Sequence, residues 1–277
     1  MTNTNDNFNL ISFNDEKECK RYFTLFGLDD LLGVELARGN SQNQAVTNVD
    51  PDYVVPYGVE IQDLCRLHWL CLNRKSTQVL EFGSGYSTLV IAHAMSILRK
   101  EHLKWALCNT RLDDPFKIYS VDESLEFANI TRSRLAKYEE CADVSVREVY
   151  LTEYSGRFAT LYKDLPNVTP DFIYLDGPSQ YATTEAIAGF SVDQKARMPM
   201  AADILRFEYF LEPGSVILVD GRSANASFLK NNFQRNWLYR HDKEGDYHIF
   251  ELHDPFLGEL NENKFKYCTE DKWLLTE

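Results

Sequence analysis

The sequence predicts an α/β domain with a doubly wound, mostly parallel sheet. Short runs of β-branched and aromatic residues alternate with segments of helical length through the middle of the chain. Two parallel strands need a crossover connection, usually a helix, so this alternation favours parallel pairing. Three of the runs end in an acidic residue, namely Asp122, Asp176 and Asp220. The carboxyl ends of parallel strands meet at one edge, so these acids are expected to share a crevice.

Hydrophobic periodicity and turn residues predict the individual elements. Apolar residues recur at helical spacing over Val59–Leu72 and stop before a polar Asn-Arg-Lys stretch. Further helices are predicted at Glu16–Phe26, Thr88–Arg99 and Leu125–Tyr138. The predicted parallel strands are Val79–Phe82, Ile118–Val121, Val144–Tyr150, Phe172–Leu175 and Val216–Val219.

A hairpin is predicted near the C-terminal end. The runs Trp237–Arg240 and Tyr247–Leu252 flank a Lys-Glu-Gly-Asp turn, which adds an antiparallel pair at the sheet edge and brings the sheet to seven strands. Residues 1–56 are polar and are interpreted as an N-terminal extension or lid. Residues 57–252 then form the α/β domain, and residues 253–277 form a tail that packs on it.

The charge of the chain disfavours nucleic acid as a partner. The formal net charge is −13 and the sequence pI is near 5.0, which opposes the counterion release that drives most nucleic-acid binding. The N-terminal residues lack a basic and apolar leader, and we find no apolar run long enough to cross a bilayer. We therefore expect a cytoplasmic protein that does not interact with membranes and that acts on a small molecule, with a homo-oligomer left open.

The cysteines do not indicate a metal or disulfide framework. They include no Cys-x-x-Cys pair and no cluster with histidine, so reduced and mostly buried thiols are expected. The six are Cys19, Cys65, Cys71, Cys108, Cys141 and Cys268.

The clearest local motif is a strand that ends in a Gly-x-Gly turn and leads into a helix, with the sequence VLEFGSGYST from Val79 to Thr88. Glycine allows a ligand to approach the backbone closely, and a helix N-terminus offers free N–H donors. A nucleotide-type ligand fits such a turn. A tight strand-to-helix turn without a ligand is the alternative.

The charge of the predicted crevice helps to identify that ligand. Glu81 lies inside the first strand and joins the three strand-end acids. The pyrophosphate of NAD is repelled by carboxylates, whereas S-adenosylmethionine carries a sulfonium and an ammonium and no phosphate. The third glycine of the dinucleotide motif G-x-G-x-x-G is replaced by Thr88. Both observations favour S-adenosylmethionine.

At this point the chain resembles the class I S-adenosylmethionine-dependent methyltransferases, which have a Rossmann-like fold. The resemblance rests on VLEFGSGYST, YSVDES, DFIYLDGP and PGSVILVDGR, in that order, and covers roughly residues 57–252. It implies that Asp122 holds the ribose and that Tyr154 borders the adenine. The residues implied to hold the methionine part of the cofactor, or to lie beside it, are Glu81, Gly83, Ser84, Gly85 and Tyr86.

Within this superfamily the pattern is most similar to small-molecule O-methyltransferases of the catechol, caffeoyl-CoA and macrolide-sugar type. The resemblance implies Asp176 and Asp220 as catalytic residues and as ligands of a possible Mg²⁺. One further ligand of that type is replaced by Gly221. An acceptor hydroxyl must lose a proton, and Asp176 is the first choice for the base. The alternative for Asp176 is support of its own loop.

Substrate contacts are predicted in the segments that follow the strands. Tyr181 and Arg222 are the candidates, and Arg222 either binds an anionic acceptor or pairs with a nearby acid. His68 and His93 lie on apolar helices and are expected in the core, whereas His248 is expected to be exposed beside the hairpin turn.

The leading hypothesis is therefore methylation of a small hydroxylated metabolite or sugar. A nicotinamide-dependent oxidoreductase is less favoured, because the third glycine and a Tyr-x-x-x-Lys pair are absent and the crevice is acidic. A non-catalytic binding subunit with the same fold is a third hypothesis. N- and C-methylation would give the same motifs.

Overall fold

The structure, a computed structural model, describes residues 7–33 and 59–276. The strands within these residues are β1 (Gln78–Phe82), β2 (Lys117–Asp122), β3 (Ala142–Val146), β4 (Val149–Tyr154), β5 (Arg157–Tyr162), β6 (Phe172–Leu175), β7 (Ala186–Ile187), β8 (Phe190–Ser191), β9 (Val216–Asp220), β10 (Trp237–Asp242) and β11 (Tyr247–Leu252). The helices are α1 (Glu16–Phe26), α2 (Ile61–Asn73), α3 (Tyr86–Asn109), α4 (Leu125–Leu135), α5 (Asp203–Phe207), α6 (Ser223–Asn232) and α7 (Glu259–Thr269).

Seven strands form one sheet in the order β10-β11-β9-β6-β1-β2-β3. The strands β3, β2, β1, β6 and β9 run parallel, and β11 is antiparallel to both β9 and β10. The predicted fold class is therefore confirmed, including the C-terminal hairpin. The chain moves outward from β1 to β3 and then returns to β6, so the strand order reverses between β1 and β6. In open α/β sheets a ligand binds outside the carboxyl ends of the strands at such a reversal.

Two apolar cores lie on opposite faces of the sheet. Alternate residues of one strand point to different cores, as Tyr174 and Ile173 of β6 show. The first core holds side chains of α2, α3 and α4, and the second holds side chains of α5, α6 and the β4–β5 hairpin. Because helices cover both faces, all five residues of β1 are buried, which is typical of a central parallel strand.

The N-terminal residues 7–33 pack against the first core. The predicted helix Glu16–Phe26 forms with these bounds, because Asp15 caps its first turn and Gly27 ends it at φ +67°. Tyr22 is 1% exposed, and its hydroxyl lies 2.8 Å from Nδ1 of His68 on α2. His68 is fully buried, as expected. Residues 1–6 and 34–56 of the predicted extension or lid lie outside the described residues, so the predicted division into domains stays a prediction.

One predicted strand was wrong. Residues 144–150 are not a single strand: β3 ends at Val146, and β4 then forms an antiparallel hairpin with β5 that is separate from the main sheet. The turn of this hairpin is Ser155–Gly156, and both residues have positive φ. Such a two-residue turn matches the twist of antiparallel strands.

Most of the cysteines are buried, as expected from the sequence. All six thiols are free, and all except Cys108 are buried. Among the described helices, none is long and apolar enough to cross a membrane.

A buried carboxylate joins the C-terminal residues to the sheet. Glu251 of β11 is fully buried and lies 2.9 Å from Nη1 of Arg74. It also accepts hydrogen bonds from the backbone N–H groups of Leu274 and Leu275. His253 Nε2 lies 3.0 Å from its second oxygen. The charge of Glu251 is thus matched by a cation and by several donors, which is the condition for burying it.

We predict that Glu251→Gln destabilises the protein by about 3 kcal/mol, because Arg74 would keep its charge in a buried place without its partner. Urea unfolding measures this loss. The matched control is Glu262→Gln, which breaks the exposed pair with Lys266 and should cost about 0.5 kcal/mol or less. Equal losses in the two variants would show that the Arg74 pair does not contribute as proposed.

Candidate functional site

The loops after β1 and β6 touch each other where the strand order reverses. Gly83 has φ +96°, a conformation that favours glycine. A side chain at Gly177 would place its Cβ 2.7 Å from Gly83 N and 2.9 Å from Phe82 C. The N–H of Asp176 donates to Phe82 O at 3.0 Å. The two loops therefore form the floor of the candidate crevice.

Glu81 lies below this floor and is surrounded by hydroxyl groups. It is fully buried in β1, and its carboxylate accepts from Ser87 Oγ at 2.5 Å and from Thr88 Oγ1 at 2.6 Å. Ser120 Oγ of β2 is a third donor. Burial raises the pKa of Glu81 to about 7, although the three hydroxyl donors lower it. None of these partners is a cation, so a positively charged ligand nearby would stabilise the ionised form of Glu81.

Asp122 is held in a fixed orientation at the end of β2. Ser84 Oγ donates to Asp122 Oδ2 at 2.5 Å, and Ser124 N donates to Oδ1 at 2.8 Å. The side chain is only 4% exposed, and burial raises the pKa of Asp122. The Ser84 bond ties the loop after β1 to the loop after β2. The two predicted cofactor residues thus stand together at the crevice.

Asp176 and Asp220 are the acids of the neighbouring strands. Asp176 is accessible to solvent at its loop, yet the protein atoms around it and the charge of Asp220 raise its pKa well above the usual range. Asp220 is half-buried, and Tyr174 Oη donates to its Oδ2 at 2.8 Å. Burial and the charge of Asp63 on α2 raise the pKa of Asp220 to about 7.

Arg222 supports the loop after β6 and forms no ion pair within 4 Å in the described part of the chain. Nη1 donates to Asp176 O at 3.0 Å and Nη2 to Pro178 O at 2.5 Å. The residue is 7% exposed. The contacts of Arg222 are thus with backbone carbonyls and not with a nearby acid, and its binding of an anionic acceptor stays a prediction. Tyr181 lies further along the same loop and is 39% exposed.

Two predicted cofactor residues have contacts away from the crevice floor. Tyr86 Oη accepts from Arg134 Nη2 at 2.9 Å, and the Arg134 guanidinium lies over its ring at 4.0 Å. Tyr154 is the last residue of β4, and its ring packs edge-on against Phe228 of α6. Its hydroxyl lies 3.5 Å from Leu205 O. Because β3 ends at Val146, the residues that directly follow it are Arg147 and Glu148, not Tyr154.

A residue that we did not single out from sequence, Glu123, joins two of the site loops. Its Oε1 accepts from Ser179 N at 2.9 Å, and its Oε2 accepts from Tyr162 Oη at 3.0 Å. Glu123 directly follows Asp122, so this contact ties the loop after β2 to the loop after β6. The sequence shows Glu123 in the YSVDES motif. It gives no signal for the contact, because the partner Ser179 lies 56 residues away in the chain.

Comparison with known proteins gives distant structural matches. No family model matches the chain, and no curated protein matches it in sequence. An O-methyltransferase from Streptomyces achromogenes in complex with S-adenosylmethionine is 15% identical over 82% of this chain and 91% of that chain, with a TM-score of 0.42. An O-methyltransferase from Bacillus cereus with bound S-adenosylhomocysteine is 16% identical over 82% and 91%, with a TM-score of 0.42.

A third match is a methyltransferase from Podospora anserina with bound S-adenosylhomocysteine. It is 12% identical over 87% of this chain and 97% of that chain, with a TM-score of 0.45. All three are named methyltransferases, the class that the sequence motifs resemble. The likeness is distant, so an activity can be assigned only from contacts among the chain's own residues.

The residues at the carboxyl edge supply two acids of the predicted magnesium site, and magnesium binding stays a prediction. In residues 7–33 and 59–276, no group of three or more His, Cys, Asp or Glu side chains is arranged to hold a metal ion. Magnesium binds about six oxygens in near-octahedral geometry. The position next to Asp220 is Gly221, and a Cβ there would lie 3.5 Å from Asp246 Oδ2. Magnesium usually binds one or two carboxylates and keeps several waters, so Asp176 and Asp220 would hold it with water in the remaining positions.

We predict that the raised pKa of Glu81 makes the protein less stable at higher pH. The folded state holds a proton on Glu81 up to pH of about 7, whereas the ordinary value is 4.5, so the free energy of unfolding falls as pH rises between these values. Glu81→Gln should remove roughly 2–3 kcal/mol of this decline between pH 5 and pH 8. Urea unfolding at both pH values measures it.

The matched control is Glu148→Gln, an exposed glutamate paired with Lys163. This variant should keep the pH dependence of the original protein between pH 5 and pH 8. If Glu81→Gln also keeps the pH dependence of the original protein, the pKa of Glu81 is not raised in the folded state and the prediction is wrong.

Proposed function

We propose that the protein is an S-adenosylmethionine-dependent methyltransferase that binds its cofactor at the crevice between β1 and β6. The observation that carries the proposal is the set of four carboxylates at this edge, of which Glu81 and Asp122 are buried and have no cationic partner within residues 7–33 and 59–276. A ligand with a sulfonium and an ammonium supplies the missing positive charge. Asp122, oriented by Ser84 and Ser124, is suited to accept both ribose hydroxyls.

The same contacts argue against a dinucleotide. A pyrophosphate would face these carboxylates and be repelled. The third glycine of the dinucleotide motif serves close packing of helix on strand, but Thr88 stands there, fully buried, and donates to Glu81. The strand order also departs from that of dinucleotide-binding sheets, because the antiparallel β11 lies between β9 and β10.

In the proposed reaction the chain mainly binds and orients. The bound cofactor supplies a methyl group already activated by the sulfonium. Gly83 and Gly177 allow the loops after β1 and β6 to pack backbone against backbone, which forms the floor on which the cofactor would bind. The remaining task is to hold an acceptor in line with the methyl group, which can account for much of the rate.

We propose a small hydroxylated acceptor bound beside Asp176, with O-methylation as the reaction. Asp176 faces solvent at the crevice, and its raised pKa means that its ionised form binds a proton more tightly than an ordinary aspartate does. It would take the proton of the acceptor hydroxyl, with Asp220 held beside it by Tyr174. Tyr181 would contact the acceptor from the loop that Arg222 supports. No step is assigned to magnesium.

Isothermal titration with S-adenosylhomocysteine tests the proposal. We expect micromolar binding, weaker by at least about tenfold in Asp122→Asn, since a hydrogen bond to a charged group contributes about 1.5–3 kcal/mol. Asp143→Asn, an exposed aspartate on the neighbouring β3, is the matched control and should bind as the original protein does.

NAD is titrated in parallel, and S-adenosylhomocysteine is titrated again with Mg²⁺ and with EDTA. Tighter binding of NAD, or no binding of S-adenosylhomocysteine, contradicts the proposed cofactor. Loss of binding in EDTA would contradict cofactor binding without a metal ion.

A further inference from the structure

A serine, a histidine and a tyrosine form a hydrogen-bonded chain beside the crevice. Ser223 Oγ lies 2.8 Å from His248 Nε2. On the other side of the ring, His248 Nδ1 lies 2.9 Å from Tyr239 Oη. A hydroxyl within 2.6–3.2 Å of a base that a third group orients is the arrangement found in enzymes with an activated nucleophile.

The position of Ser223 makes its hydroxyl accessible. The chain leaves β9 at Asp220, turns at Gly221 with φ +52°, and enters α6 at Ser223. Ser223 and Ala224 are both exposed, so their surroundings admit a ligand. A strand, a sharp turn and a helix with serine at its start also present the nucleophile in α/β-hydrolases.

Backbone donors lie next to this hydroxyl. The first N–H groups of a helix have no partner within the helix, and no side chain caps the start of α6. The ten residues of α6 add the positive end of a helix dipole at the same place. These N–H groups, including those of Ala224 and Asn225, suit an oxygen that gains negative charge.

The imidazole of His248 is uncharged, as a general base must be before it accepts a proton. It is 2% exposed on β11, which corrects the expectation that it would be exposed. Burial and the neighbouring His241, whose ring stacks on it at 3.9 Å, lower its pKa, and the charge of Asp246 raises it slightly. The imidazole is therefore neutral at pH 7. With its proton on Nδ1, directed at Tyr239, its Nε2 is free to accept the proton of Ser223.

We propose that Ser223 is a nucleophile activated by His248, and that this second site cleaves small carboxylic esters. Ser223 Oγ attacks the ester carbonyl carbon while its proton passes to His248 Nε2, and the carbonyl oxygen becomes an oxyanion near the α6 N–H groups. The C–O bond to the alcohol then breaks, and the alcohol leaves with the proton from His248. Water, deprotonated by the same nitrogen, hydrolyses the acyl-serine and restores both residues.

The site does not depend on the proposed cofactor. Its residues come from the start of α6 and from β10 and β11, whereas Gly83, Ser84 and Asp122 belong to the loops after β1 and β2. Tyr239 takes the place that a carboxylate has in the Ser-His-Asp triad and stabilises an imidazolium less. Slow turnover of activated esters is therefore expected.

The test is labelling of the full chain with diisopropyl fluorophosphate, in which a serine oxygen displaces fluoride from phosphorus. We expect a single adduct, located at Ser223 by peptide mass spectrometry and absent from Ser223→Ala. Labelling of His248→Gln should be slower by about 100-fold, the lower range for loss of a general base. Ser227→Ala, which changes another exposed serine of α6, is the matched control and should be labelled at the original rate.

Tyr239→Phe keeps the aromatic ring and removes only the hydroxyl that orients His248. It should slow labelling severalfold. If His248→Gln does not unfold cooperatively on heating, and so is not folded, the labelling rate of Tyr239→Phe tests the proposal in its place. The labelling rate of the original protein should fall at a lower pH than expected for an ordinary histidine, since the pKa of His248 is lowered. The proposal is overturned if no adduct forms at Ser223. It is also overturned if Tyr239→Phe and His248→Gln are both labelled as fast as the original protein. Titration with S-adenosylhomocysteine on the same samples reports separately on the cofactor site.

Discussion

The close contact between Gly83 and Gly177 is the constraint on which the rest of the site depends. Backbone atoms of the two loops approach so closely that a Cβ at Gly177 would overlap Gly83 N and Phe82 C. This contact fixes where β1 and β6 end relative to each other. Asp176 directly precedes the contact, and Arg222 binds the carbonyls of Asp176 and Pro178 on its far side. The loop geometry that presents the acids therefore follows from the absence of two side chains.

The acids around this contact are kept in place chiefly by neutral donors. Glu81 is held by the hydroxyls of Ser87, Thr88 and Ser120, and Asp122 by Ser84 and a backbone N–H. Such bonds satisfy the oxygens but do not cancel the charge, so burial remains unfavourable for the ionised form. Elsewhere in the same sheet Glu251 is buried opposite Arg74. The contrast separates a carboxylate that stabilises the fold from carboxylates suited to a cationic ligand.

The sequence predicted the regular parts of the fold because their hydrophobic runs are bounded by polar or turn residues. The predicted bounds of Phe172–Leu175 and Tyr247–Leu252 agree with β6 and β11. The prediction of one strand over residues 144–150 was wrong because two short strands follow each other there. The Ser155–Gly156 turn marks the hairpin in the sequence, but the prediction did not take it into account. The pairing of Ser223 with His248 brings together residues 25 positions apart on a helix and a strand. Periodicity carries no information on that kind of contact, nor on the link from Glu123 to Ser179.

The place of β11 has a consequence for the order in which the sheet can be completed. In the finished sheet β11 separates β9 from β10, although β10 comes before it in the chain. During synthesis β10 therefore leaves the ribosome before its neighbour exists, and β9 keeps an open hydrogen-bonding edge until residue 252 has emerged. Glu251 accepts hydrogen bonds from Leu274 and Leu275, which are made later than β11. The sheet thus reaches its full set of pairings only after β11 has been made, and Glu251 reaches its full set of donors only after residue 275.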